Sequence, residues 1–75
     1  MRTTEEFIQI IMQDFLLNET QLKILGQVYP PIDNWELEIL DQEITKEDAE
    51  LLVILKGNFT LNIQKQLVQN YKLLH

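Results

Sequence analysis

The chain has no cysteine and no serine, only two glycines and two prolines, and a single histidine, His75. Without cysteine there is no disulfide, no thiolate metal site and no cysteine nucleophile, a pattern that fits a reducing, cytoplasmic setting. Without serine, the hydroxyl nucleophiles shrink to five threonines, three of which have helix-cap roles. His75 is the last residue, where nothing is expected to fix its ring as a general base. Two glycines do not make a phosphate cradle. No His/Cys pair and no acidic loop of calcium-binding spacing is present. These absences predict a protein that is not an enzyme, with no catalytic residues, no metal site and no cofactor.

Long apolar runs are missing too. The longest is Leu51–Leu55, far below the roughly 20 residues that a membrane span needs. Glu5 and Glu6 follow Arg2 so closely that the start does not read as a basic secretory leader. No membrane association is expected.

What is present is a chain of 75 residues, 45% apolar, with a net charge of −6. That composition suits one small globular domain spanning residues 1–75. The charge is unevenly placed. Residues 33–50 hold Asp33, Glu36, Glu38, Asp41, Glu43, Glu47, Asp48 and Glu50 against Lys46 alone. Residues 51–75 hold Lys56, Lys65 and Lys72 and no acid. An acidic middle repels phosphate and anionic lipid, and the simplest account of it is a solvated face.

Caps and periods predict an all-α fold, a compact bundle of about five short helices. Thr3-Thr4-Glu5-Glu6 reads as a capping box with Thr3 as the cap, followed by Phe7, Ile8, Ile11, Phe15 and Leu16 on a helical period. Asn18 with Gln21 caps a second helix, carrying Leu22, Leu25 and Val28 and ended by Pro30-Pro31. Asp33-Asn34-Trp35-Glu36 opens a third, with Leu37, Leu40 and Ile44 along one side. Thr45 opens a fourth, with Ala49, Leu52, Val53 and Lys56 sharing a face and Gly57 as the stop. The fifth runs from about Asn58, with Phe59, Ile63, Leu67, Tyr71 and Leu74 as its stripe. No strand pattern, repeat or linker is visible.

The order of short motifs is informative. Phe15-Leu16 precedes Thr20-Gln21-Leu22, then Glu38-Ile39-Leu40, Ile44-Thr45 with Ala49 and Leu52, Gly57, Leu61-Asn62-Ile63-Gln64 and a late Tyr71. Over about residues 7–74 this resembles the helix-turn-helix domain of Xre/Cro-type repressors, most closely the HigA-type antitoxins. The resemblance implies DNA contact through the third helix and the turn after it. There the chain departs from the family. A basic, glycine-containing turn is replaced by Asp41-Gln42-Glu43, and the third helix carries Trp35, Glu36 and Glu38 after Tyr29-Pro30-Pro31-Ile32-Asp33. Base reading needs Arg, Asn or Gln beside cations. Of the DNA contacts the resemblance carries, only the Gln21 position survives, so direct DNA binding is not expected.

Two readings follow. In the first, the chain is a regulator that docks on and inhibits a protein partner such as a toxin, through an acidic and apolar surface made of Trp35, Glu36, Glu38, Ile39, Asp41, Glu43 and Glu47. Trp35 and Ile39 lie opposite Leu37, Leu40 and Ile44, so either set can be the core, and Trp35 is an interface anchor or the largest core side chain. In the second, the carboxylates mimic DNA and occupy the basic groove of a nuclease, repressor or CRISPR effector. Sequence-specific DNA binding ranks third. The broad apolar stripes of the terminal helices leave a homodimer open.

Overall fold

Five helices follow one another in the computed structural model, which describes residues 1–75: α1 Glu5–Ile11, α2 Glu19–Ile24, α3 Trp35–Ile39, α4 Lys46–Ile54 and α5 Leu61–Leu74. The fold is all-α, without a named strand. Its radius of gyration is 11.6 Å, close to the roughly 11 Å of a compact chain of this length. No helix is long and apolar enough to cross a membrane.

The cap signals place the starts of α2 and α4 where the sequence does, but α2 ends at Ile24, ahead of the left-handed Gly26 (φ +78°) and not at Pro30-Pro31, which leaves Val28 exposed. Asn18 Oδ1 accepts from the Gln21 amide at 2.8 Å while Gln21 Oε1 accepts from the Asn18 amide at 2.9 Å, a complete capping box. Thr45 Oγ1 accepts from the Asp48 amide at 3.0 Å. α4 stops before Gly57, whose φ of +78° is left-handed.

Further expectations are corrected. First, Thr4 and not Thr3 caps α1, accepting from the Phe7 amide at 3.1 Å. Thr3 is buried instead. Its hydroxyl donates to the Ile39 carbonyl and accepts from the Gln42 amide at 3.0 Å. Around it Met1–Thr3 lies antiparallel to Asp41–Ile44, with Thr3 N donating to Gln42 O at 2.9 Å and Ile44 N to Met1 O at 2.8 Å. A tertiary contact, not helix capping, sets the role of Thr3.

Second, α1 ends at Ile11 and does not carry its stripe to Phe15-Leu16. Gln13 and Leu16 exchange backbone hydrogen bonds at 3.0 Å, with Asp14 and Phe15 between them at φ 53° and 64°. Two successive positive φ values make the mirror-image turn usually built from Asn-Gly. Phe15 and Leu16 therefore leave the core and face solvent.

Third, α3 opens one residue later than expected and, of the two sides the sequence leaves open, buries the Trp35 side. Asn34, not Asp33, is its N-cap, left-handed at φ 62° and without a side-chain capping bond. Trp35 and Ile39 are buried and Leu37 is exposed. Each large apolar side chain turned inward contributes about 1.5–3 kcal/mol, so the pair that fits the space beside Ile8, Ile11 and Leu52 decides the register. Trp35 is 7% exposed. Its fluorescence is expected to be blue-shifted and insensitive to iodide; a red-shifted, quenchable emission would contradict this orientation.

α5 also buries less than its stripe suggests. Gln64 and Tyr71 face inward, with Leu67 and Val68 partly covered, while Phe59, Ile63 and Leu74 are exposed. The interior holds a polar knot beside the apolar core. Gln21 Nε2 donates to Ile11 O at 2.9 Å and to Leu52 O at 2.8 Å, tying α1 and α4 to α2. Asn18 Nδ2 donates to Leu55 O and Asn58 O at 2.8 and 2.9 Å. Gln64 accepts from the Thr20 amide at 3.1 Å and donates to Asn58 O at 2.8 Å. No buried side-chain polar atom is left without a partner.

Candidate functional site

The residues read from the sequence as a partner surface do not form one site. Trp35 and Ile39 belong to the core. Glu43 is exposed but occupied: its carboxylate meets the Met1 ammonium at 3.0 Å and Arg2 Nε at 3.7 Å. The hydrogen bond from that ammonium, and then its charge, hold Glu43 below the usual carboxylate range; desolvation opposes them and Arg2 assists. A depressed carboxylate stabilises the fold above its unfolded pKa, and that contribution fades as pH falls through the folded value. Glu43 is thus a clasp for the N-terminal segment. Glu36, Glu38, Asp41 and Glu47 are exposed and make no ion pair.

A different set of side chains comes together between α1 and α3. A groove of about 200 Å³ is lined by Glu5, Ile8, Gln9, Met12, Glu36, Leu37 and Leu40. Leu37, 69% exposed, stands in it, where the sequence allows either Leu37 or Trp35 to face outward. A second depression, of about 390 Å³, is lined by Gln9, Met12, Asp14 and Phe15. The two share Gln9 and Met12, so one surface runs from α3 across α1 to the turn. Its apolar members are Ile8, Leu37, Leu40, Met12 and Phe15, and its charges are Glu5, Asp14 and Glu36, all acidic.

Phe15 is the feature the sequence hides. It is 84% exposed at φ 64°. A bulky residue in the left-handed region is an outlier that costs about 1–2 kcal/mol. An aromatic held there and offered to water loses stability on both counts, the kind of arrangement found at functional sites. The sequence signal is half there: Asp14 is a residue type such turns use, but Phe15 stands where a glycine is expected.

Gln21, the one surviving DNA-contact position of the helix-turn-helix resemblance, is 1% exposed and has its amide committed inside the protein. Ten residues, Leu25 to Asn34, separate α2 from α3, against the roughly 3–4 of a helix-turn-helix. No three His, Asp or Glu side chains converge closely enough to hold a metal ion.

A larger and more apolar groove, of about 610 Å³, crosses the outer side of α4 between Phe7 and the end of α5. At its edge the Tyr71 hydroxyl donates to Glu50. That bond, then desolvation, then the negative charges of Glu50 and Glu47 push the phenol up to about 12. Because ionisation breaks the bond, this contribution to stability is complete below the unfolded value near 10 and is lost as pH rises through 12. Spectrophotometric titration is expected to show Tyr71 ionising near 12, and Glu50→Gln is expected to bring it down; an unchanged titration would remove Glu50 as the cause.

No protein-family model matches the chain, and no curated protein and no solved structure matches it either.

Proposed function

We propose that this chain is a non-enzymatic regulatory protein that docks on and inhibits a protein partner through the acidic, apolar surface of α1, the Asp14-Phe15 turn and α3. The observation that carries this reading is Phe15, an exposed aromatic maintained in an unfavourable backbone conformation beside Met12, on the surface that continues across α1 to Leu37. Aromatic side chains anchor interfaces, and neighbouring polar groups form the rim. With Glu5, Asp14 and Glu36 on that rim, the complementary partner presents an apolar socket edged by Lys or Arg. A toxin or another basic, nucleic-acid-binding protein has that chemistry. The role is that of an antitoxin-like or phage-encoded inhibitor, in keeping with the resemblance to the HigA-type antitoxins.

The unpaired carboxylates Glu36, Glu38, Asp41 and Glu47 favour a second reading, a DNA mimic filling a basic groove. The two differ in what carries the binding. Affinity capture from the native host, followed by titration of the captured protein, tests both. The docking reading expects Leu37→Asp to abolish binding and salt to weaken it only modestly. A mimic expects Leu37→Asp to be tolerated and affinity to fall steeply with salt. Retention of duplex DNA at low salt, with no protein captured, would overturn both in favour of a DNA-binding regulator.

A further inference from the structure

We propose that the groove over α4 is the seat of a second copy of this chain, which inserts Leu73 and Leu74 from the end of its own α5. The groove is apolar along Phe7, Ala49, Val53 and Ile54 and is closed at one end by Tyr71 and His75, which stack with ring centroids 4.2 Å apart. Leu73 and Leu74, 84% and 81% exposed, project at the same end of α5. Leu74 lies one helical turn after Tyr71, so knob and hole are neighbours. A two-fold contact requires this: each copy offers the same patch, and each must give and receive at once.

Charge selects the same pairing. With a net charge of −6, two copies repel across most relative orientations. Residues 51–75 are the exception, with three lysines and no acid. The first turns of α4 hold Glu47, Asp48 and Glu50 against Lys46. Laying the end of α5 across α4 of the other copy brings the lysine-bearing segment to the acidic first turns of α4, and symmetry repeats that contact. The groove shares no residue with the surface running from α3 to Phe15. A dimer built this way leaves both docking surfaces free, and would engage a dimeric target twice.

The test is molar mass against concentration, by sedimentation equilibrium or light scattering. Wild type is expected to approach twice the 8.9 kDa of one chain as concentration rises. Val53→Lys and Leu74→Glu alter exposed positions, so both variants should keep the wild-type circular dichroism. Each alone is expected to raise the dimer dissociation constant at least about tenfold, the effect of losing about 1.4 kcal/mol. Mixed in equal amounts they should dimerise again. One contact is then wholly wild type, and the other opposes the introduced lysine of one chain with the introduced glutamate of its partner. Wild type that stays at 8.9 kDa up to millimolar concentration would overturn the proposal. So would a dimer indifferent to both substitutions, or a mixture that remains monomeric.

Discussion

Gln21→Met is expected to lower the melting temperature by about 20 °C or more, or to leave the chain largely unfolded at room temperature. Methionine matches glutamine in length and rotamer freedom, so packing is nearly conserved and the change isolates hydrogen bonding. Gln21 Nε2 serves the carbonyls of Ile11 and Leu52, and its Oε1 serves the amide of Asn18. All three belong to buried surroundings that exclude water as a substitute. An unsatisfied buried group costs about 1–3 kcal/mol, so losing three partners removes about 3–6 kcal/mol after some relaxation. A chain of this length has about 4–11 kcal/mol of stability in all. Gln66→Met, at an exposed position of α5, should stay within about 0.5 kcal/mol of wild type. Thermal unfolding followed by circular dichroism measures both. A Gln21→Met protein that melts within a few degrees of wild type would show that the knot contributes little net stability.

The same glutamine marks the limit of what the sequence reveals. Asn18 and Gln21 are legible as a cap because the signal is local, a side chain reaching three residues along the chain. Thr45 is legible for the same reason. That Gln21 also binds two other helices depends on residues 10 positions behind and 31 ahead of it, and no local pattern encodes that. Thr3 and Thr4 are equally good caps by residue type, and only the approach of Ile39 and Gln42 decides between them. On α3 the two sides are equally periodic. Ile44 completes the Leu37 side only if the helix continues, but it stops at Ile39, and Ile44 enters the core from the segment beyond it.

The candidate surface is legible in the sequence as a composition but not as a set of residues. An acidic, apolar region around α3 is readable from charge, and Glu36 belongs to it. Trp35 and Ile39 leave it with the register of α3. Glu43 leaves it because the N-terminal segment returns to clasp it. Leu37 takes the exposed position, and Met12 and Phe15 join because α1 ends early. One helix boundary thus decides the fate of Phe15: a continuing α1 would bury the ring, and the turn exposes it.

Phe15→Gly should therefore move stability and binding in opposite directions. The left-handed conformation costs an L-residue about 1–2 kcal/mol, and glycine gives back about 0.5–1 kcal/mol of that through its freer unfolded chain. The net gain is about 0.5–1 kcal/mol, a rise of a few degrees in melting temperature at about 4–8 °C per kcal/mol. Nothing offsets it from packing, since the ring is 84% exposed. If Phe15 anchors the partner, the same substitution costs at least about 2 kcal/mol of binding, roughly a 30-fold weaker dissociation constant. Phe15→Ala separates the two effects: it removes the ring and keeps the strained backbone, so binding falls as far while stability barely changes. Calorimetry of the free proteins and titration against the captured partner supply both numbers. A glycine variant that is more stable and still binds as wild type would mean that the turn is strained for no reason of recognition, and the docking surface would have to be drawn without it.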